Sequence, residues 1–252
     1  MNRRRVLTAC LAGAALLRGA AFAEAMADLV RQAVEAGKPS TPLRADATAD
    51  IDGLDGKRQE RLVIVERVAA DAGLPAQTLV VLAGAKLRVL ALGPAELHLA
   101  SGGKVSRAEA KARIGSTSFA AEDFLPFSPA RCAAMRLADL TAEQFTLVCE
   151  PKIPPSQYSL MVYKFDRARF SLLQVLLYRD GMTNLVKMLR NHDFVRVGSA
   201  WRPKRVVMQD FKLRTKDVLS LEWRESADVP AEAFDAKSFA GVALEPRASA
   251  QP

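Results

Sequence analysis

Apolar and polar residues alternate with a period of two through most of this chain, the mark of half-buried β-strands. Leu43–Ile51 alternates small or apolar residues with polar ones, and Arg61–Arg67 and Gln77–Leu82 follow across turn signals at Asp55-Gly56 and Gly73-Leu74-Pro75. Lys86–Leu92 and Glu96–Ala100 come next, closed by Ser101-Gly102-Gly103. A second series comprises Gln144–Glu150, Tyr158–Asp166, Ser171–Arg179, Leu185–Arg190, Phe194–Val197, Arg205–Lys212 and Val218–Arg224. Asp180-Gly181 is a hairpin signal, and Asn191-His192-Asp193 has a turn composition. Short strands at this spacing predict a sheet that curls on itself, as in barrels and sandwiches.

Other stretches break the period. Glu24–Gly37 has helical spacing, with Ala25, Leu29, Ala33 and Val30 on one stripe and Asp28, Arg31, Gln32 and Glu35 elsewhere; Gly37-Lys38-Pro39 stops it. Ala120–Leu125 and Pro129–Leu140 are alanine-rich with helical spacing, which predicts short helices or a loop over the sheet. Phe234 and Phe239 mark a segment that tucks against the sheet, and 245–252 is expected to be a flexible tail.

The N-terminus has a different purpose. Arg3-Arg4-Arg5, the apolar run Val6–Leu17 and the small residues ending Ala21-Phe22-Ala23 are the three parts of a secretory signal peptide, with cleavage after Ala23. That run is too short to span a bilayer, which needs roughly 20 residues. Arg3-Arg4 also fits a twin-arginine signal, so the export route stays open. Leu7-Thr8-Ala9-Cys10 looks like the box before a lipidated cysteine, although cleavage there would leave most of the apolar run in place. The expected organisation is a leader over 1–23, one domain over 24–244 and the tail, located in the periplasm.

Charge narrows the partners. The chain carries 36 Lys and Arg against 28 Asp and Glu, and losing the leader removes four arginines and no acid. The remainder is mildly basic, without the concentrated face that nucleic acid requires. Cys132 and Cys149 are the two cysteines left after cleavage, a candidate disulfide in an oxidising compartment, with two unpaired buried thiols as the alternative. The two histidines, His98 and His192, lack metal-ligand spacing, and neither a Gly-x-Ser-x-Gly elbow nor a phosphate loop is present. Catalytic, metal and cofactor roles are therefore not expected.

Three segments carry a resemblance. Arg113–Phe124, with its Gly115-Ser116 pair and Glu122-Asp123 turn, is similar to a segment of the outer-membrane lipoprotein-sorting proteins, the LolA-like carriers. Val175–Lys187 looks like that family's tyrosine-aspartate-glycine hairpin with its following lysine, and Trp201-Arg202-Pro203, Met208-Gln209-Asp210 and Thr215 resemble its later pattern. The likeness runs from about Ala25 to Phe239. It departs at Leu79–Ala100, where aromatic residues are few and His98-Leu99-Ala100-Ser101 replaces a Trp-x-Tyr-like stretch.

The resemblance implies a mainly β fold with short helices: an unclosed, half antiparallel β-barrel covered by an N-terminal helix and a helical lid. It also implies a periplasmic carrier that takes acyl chains of a lipoprotein or lipid into an apolar cavity and shuttles them towards the outer membrane. An inner-membrane transporter and an outer-membrane acceptor are the implied partners. Cavity candidates are Met161, Tyr163 and Phe165 on one strand face, Leu173, Val175 and Leu177 on the next strand, together with Phe119 and Phe124. The same alternation fits a packed core equally well. Two other roles resemble this one: a lipid-sensing or lipoprotein-sensing regulator, and an accessory lipid-binding subunit of a membrane transporter. Such a regulator is expected to carry a second folded domain, for which the thirteen residues after Phe239 are too few.

Overall fold

The computed structural model describes residues 23–246 except 54–55, 70–75, 85, 94–95 and 153–155. Residues 1–22 of the expected signal peptide, Cys10 among them, lie outside these, as does the expected tail beyond residue 246.

One helix, α1 (residues 23–36), precedes thirteen strands. The first six are β1 (Leu43–Gly53), β2 (Gly56–Val68), β3 (Ala76–Leu82), β4 (Leu87–Gly93), β5 (Glu96–Ser101) and β6 (Lys104–Arg107). After an irregular stretch come β7 (Cys132–Leu140), β8 (Gln144–Pro151), β9 (Leu160–Asp166), β10 (Leu172–Tyr178), β11 (Leu185–Val197), β12 (Ala200–Asp210) and β13 (Thr215–Glu225). They form one antiparallel sheet in the order β6-β5-β4-β3-β2-β1-β13-β12-β11-β10-β9-β8-β7. Two meanders are thus joined by β1 and β13, whose ladder runs from Leu43↔Glu225 to Asp52↔Lys216. β6 and β7 remain as edges, so the barrel is unclosed.

Side-chain alternation decides what each face packs against. On β1, Ala45, Ala47, Ala49 and Ile51 face inward with Leu62, Ile64, Val80 and Leu82 of β2 and β3; Ile114, Phe119 and Ala121 of the irregular stretch join the same cluster. The alanine row provides depth for those larger side chains. On the outer face, Val63, Val65, Leu79, Val81 and Leu90 meet Ala233, Phe234, Phe239 and Leu244 of the C-terminal segment. Being buried on both faces explains the unbroken Leu62-Val63-Ile64-Val65 run, since a one-sided strand would alternate. Arg88 donates to the carbonyls of Phe239 and Val242, and the Arg67 guanidinium lies 4.4 Å from the Phe234 ring centre. The end of the described chain is held too, by Arg44 donating to the Glu245 carbonyl.

The second half of the inner face lies under α1. Leu29 and Ala33 are buried against Phe145, Leu147, Met161, Tyr163, Phe165, Val175 and Leu177, with Met26 and Val30 at the margin. The stripe is therefore Met26, Leu29, Val30 and Ala33; Ala25 sits on the exposed side.

Three local expectations need correction. Only Pro129–Arg131 of the alanine-rich stretch is helical, as a 3-10 turn capped by the Ser128 hydroxyl; Cys132–Leu140 is edge strand β7. Pairing with β8 and the Cys132–Cys149 bond override alanine's helix propensity. The expected helical lid is accordingly an irregular cover holding two 3-10 turns, the other being Ala121–Phe124. Leu185–Arg190 and Phe194–Val197 are one strand, in which the Asn191-His192-Asp193 composition appears as a left-handed kink at Asp193 (φ 54°) rather than a break. The β10–β11 hairpin does place Asp180 and Gly181 at positive φ, 61° and 87°.

Cys132 and Cys149 are joined, with Cα atoms 5.4 Å apart, and the bond fastens edge strand β7 to β8. Their sequence separation of 17 corresponds, in the chain-entropy account, to about 3 kcal/mol. Replacing both cysteines with serine is expected to lower stability by about that amount. Denaturant unfolding of the variant beside the unreduced parent checks this; equal midpoints would show that the bond does not constrain the unfolded chain.

Candidate functional site

Where the two inner clusters meet, packing is incomplete. A cavity of about 230 Å³ lies between the sheet, α1 and the irregular cover. Ile64 and Thr78 form one wall; Val206, Leu219, Leu221 and Trp223 form the floor. Phe165, Leu172 and Leu189 supply the opposite wall, and Phe119, Phe124 and Phe127 close the top. Over the cavity α1 presents only Ala33, Ala36 and Gly37, so its last turn contributes little bulk. Phe194 and Trp201 stand on the β11 and β12 portions of the rim, where the Arg169 guanidinium lies 5.1 Å and 5.6 Å from their ring centres.

Most of the few polar groups at this cavity are paired, the exception being the buried Ser171 hydroxyl. Arg202, 8 % exposed, donates to the Glu66 carboxylate at 2.8 Å and to the Gly37 carbonyl at 2.9 Å. A cation there suits the carbonyl-rich C-terminus of α1 and ties the helix to β2 and β12. Asn191 donates to the Leu172 carbonyl at 2.7 Å. Asp123 is almost wholly buried and accepts from Lys187 Nζ at 2.8 Å, Tyr158 Oη at 2.7 Å and the Ala120 N–H at 2.8 Å. These bonds seat the Ala121–Phe124 turn on the sheet and hold Phe119 and Phe124, stacked with ring centres 5.0 Å apart, over the cavity. Beside it Glu122 accepts from Ser156 and the Gln157 N–H, with Arg131 at 3.7 Å. Burial first and the Asp123 charge second push the Glu122 carboxyl above its ordinary range. Burial and the same neighbour raise the Tyr158 hydroxyl, which therefore stays protonated and donating.

The eight sequence candidates separate into three groups. Phe119, Phe124 and Phe165 line the cavity. Met161, Tyr163, Val175 and Leu177 face the same side but are packed beneath α1 in a filled cluster. Leu173 falls in neither group: a β-bulge between Leu172 and Gln174 shifts the register, pairing Leu172 with Phe165 and Val175 with Tyr163. The bulge brings Leu172 to the inner face and leaves Leu173 outside both the lining and the cluster. Sequence reasoning missed Leu189, Val206, Leu219, Leu221 and both tryptophans. The alternation Leu219-x-Leu221-x-Trp223 was a usable signal, but its importance depends on β13 sitting at the centre of the sheet.

Among the described residues, no group of three or more His, Cys, Asp or Glu could hold a metal ion. The arrangement can shelter an apolar ligand: aromatic and aliphatic walls and few polar groups, most of them satisfied.

A further buried acid supports the cover. Asp217 accepts from the Ser118 N–H, while its other oxygen has no hydrogen-bond partner, and burial raises its pKa. An acid whose folded pKa is raised stabilises the fold below its unfolded pKa near 3.8 and loses that contribution as pH rises through the folded value. Asp217→Asn is therefore expected to flatten the decline in stability above about pH 4 and to leave the protein no less stable at pH 7. Thermal unfolding of parent and variant across that range checks it; parallel pH profiles would contradict the assignment.

No family model and no curated protein matches the sequence. Solved structures do match. A putative outer membrane lipoprotein-sorting protein domain from Vibrio parahaemolyticus superposes with a TM-score of 0.72 at 15% identity, covering 84% of this chain and 97% of that one. A DUF1329 family protein from Desulfovibrio piger gives 0.71 at 14% identity over 84% and 96%. A LolA superfamily protein from Nitrosomonas europaea gives 0.62 at 16% identity over 82% and 96%. The unclosed thirteen-stranded sheet with its covering helix is thus the fold shared by LolA-superfamily and outer-membrane lipoprotein-sorting proteins.

Proposed function

We infer that this protein is a carrier that holds an acyl chain of a lipoprotein or lipid in the cavity between α1 and the sheet and ferries it across the periplasm towards the outer membrane. The observation that carries this reading is the apolar, aromatic-lined cavity at the junction of the two inner clusters. The fold agrees with it, since one neighbour is described as a lipoprotein-sorting domain.

Physical magnitudes set what such a carrier must do. Each acyl CH₂ removed from water is worth about 0.8 kcal/mol, so roughly fifteen methylenes hold a free chain back by about 12 kcal/mol. A cavity of about 230 Å³ is smaller than the roughly 300–1,000 Å³ of pockets that enclose a drug-sized ligand. Admitting a whole chain therefore requires α1 to move outward. The small residues Ala33, Ala36 and Gly37 leave that part of the helix little apolar contact to lose. Delivery then transfers the chain from the cavity to an outer-membrane acceptor, after loading from an inner-membrane transporter.

The chain's two tryptophans, Trp201 and Trp223, both line the cavity, which provides an intrinsic reporter. Titration with a long-chain fatty acid is expected to shift tryptophan emission to shorter wavelength with saturation. Leu189→Glu, which places a carboxylate against the ligand, is expected to remove that response at a cost of several kcal/mol in binding. Val175→Glu, in the filled cluster, is expected to unfold the protein, and Gln174→Glu, on the other face of β10, to change little. An unresponsive parent, or Leu189→Glu binding as the parent does, would overturn the reading.

A further inference from the structure

The turns at one end of the sheet share a property that the cavity does not use. Strand order places the β1–β2, β12–β13 and β10–β11 turns side by side. Lys57 and Arg58 open β2, Lys212 and Arg214 lie in the β12–β13 turn, and Lys216 begins β13. Lys86 in the β3–β4 turn, Lys104 after the β5–β6 turn and Lys152 after β8 extend the same end. All eight are exposed, and among the described residues none forms a side-chain ion pair within 4 Å. Asp50, Asp52, Glu150, Asp180 and Glu245, the last in a cleft with Lys86, are exposed acids at this end, and Asp52 is flanked in the ladder by Lys57 and Lys216. The opposite end is mixed, with Glu96, Glu143 and Asp166 among Arg167 and Arg169.

Three large apolar side chains emerge at the basic end, Val105 beside Lys104 on edge strand β6 and two nearer the middle of the sheet. Met182 in the β10–β11 turn is 58% exposed and Phe211 in the β12–β13 turn 39%. The Phe211 N–H donates to the Val186 carbonyl at 2.9 Å, which holds one turn against the strand that follows the other. Neither residue is needed by a core cluster.

We propose that this end docks on an anionic lipid bilayer, with Phe211 and Met182 entering the headgroup region and the surrounding lysines and arginines lying over acidic headgroups. Charge complementarity selects that occupant. Cations spread over five neighbouring turns match a diffuse anionic plane, and two separate apolar side chains suit shallow insertion. A protein partner would call for a contiguous apolar centre, which this end lacks. The surface stands apart from the cavity, so a carrier would use it to meet a membrane without exposing its ligand.

Co-sedimentation tests it, with phosphatidylcholine vesicles and with vesicles in which roughly one third of the lipid is phosphatidylglycerol, at low salt and at about 0.5 M salt. The parent is expected to bind only the anionic vesicles and to be released by salt. Each cation held at such a surface contributes roughly fivefold to partitioning, so Lys212→Ser with Arg214→Asn is expected to weaken binding about 25-fold. Asparagine is chosen because Arg214 has φ 53°. Met182→Ser with Phe211→Ser is expected to weaken it roughly tenfold. Both variants should unfold at the parental temperature and keep the tryptophan response to fatty acid, which separates loss of docking from loss of the cavity. Equal binding to neutral vesicles, or variants that bind as the parent does, would overturn the proposal. An end that serves a protein partner would leave the parent in the supernatant with every vesicle, which also overturns it.

Discussion

Every pairing in the sheet joins strands that are neighbours in sequence except one, the seam where β1 meets β13. That ladder of ten pairs joins residues from opposite ends of the chain and makes one sheet out of two meanders. The rest of the architecture depends on it. It places Leu219, Leu221 and Trp223 beside the alanine row of β1, and it sets α1 and the irregular cover over one continuous inner face. Because β6 and β7 do not pair, that face needs segments from outside the sheet to shield it from water. Those segments meet imperfectly, and the cavity is the space they leave.

The cover is held by polar bonds more than by volume. Asp123 with Lys187 and Tyr158, Asp217 with Ser118, and Arg202 with Glu66 and Gly37 each fasten a non-sheet segment to the sheet. Buried charge pairs contribute modestly to net stability, because desolvation offsets most of their attraction; losing one partner is costly. Such bonds define where the cover sits and leave its apolar underside free to face a ligand. The outer face of β2–β5 is covered by the C-terminal segment through Phe234 and Phe239.

Most strands were legible in the sequence because half-buried strands alternate, and the hairpin at Asp180-Gly181 was legible because few residues tolerate successive positive φ. The β7 strand was not. Its Cys132-Ala133-Ala134-Met135 start has the local preference of a helix, and the pairing that overrides it comes from β8 and from Cys149. Strand face on β9 was also legible, whereas on β10 a single bulge exchanged Leu172 for Leu173, a shift that period-two reasoning does not register. The cavity itself was only partly visible. Phe119, Phe124 and Phe165 were found, but Trp223 reaches it beside a seam between distant strands that local pattern does not specify, and Trp201 from the β12 rim.

The central claim is that the space between α1 and the sheet exists to hold an acyl chain. Its most direct test is to purify the protein natively from its host, extract it with organic solvent and identify bound lipid by mass spectrometry, beside Leu189→Glu prepared identically. The account predicts one dominant acyl-bearing species near equimolar with the parent and depleted in the variant. A folded parent carrying no lipid, or a variant carrying the same lipid in the same amount, would contradict it.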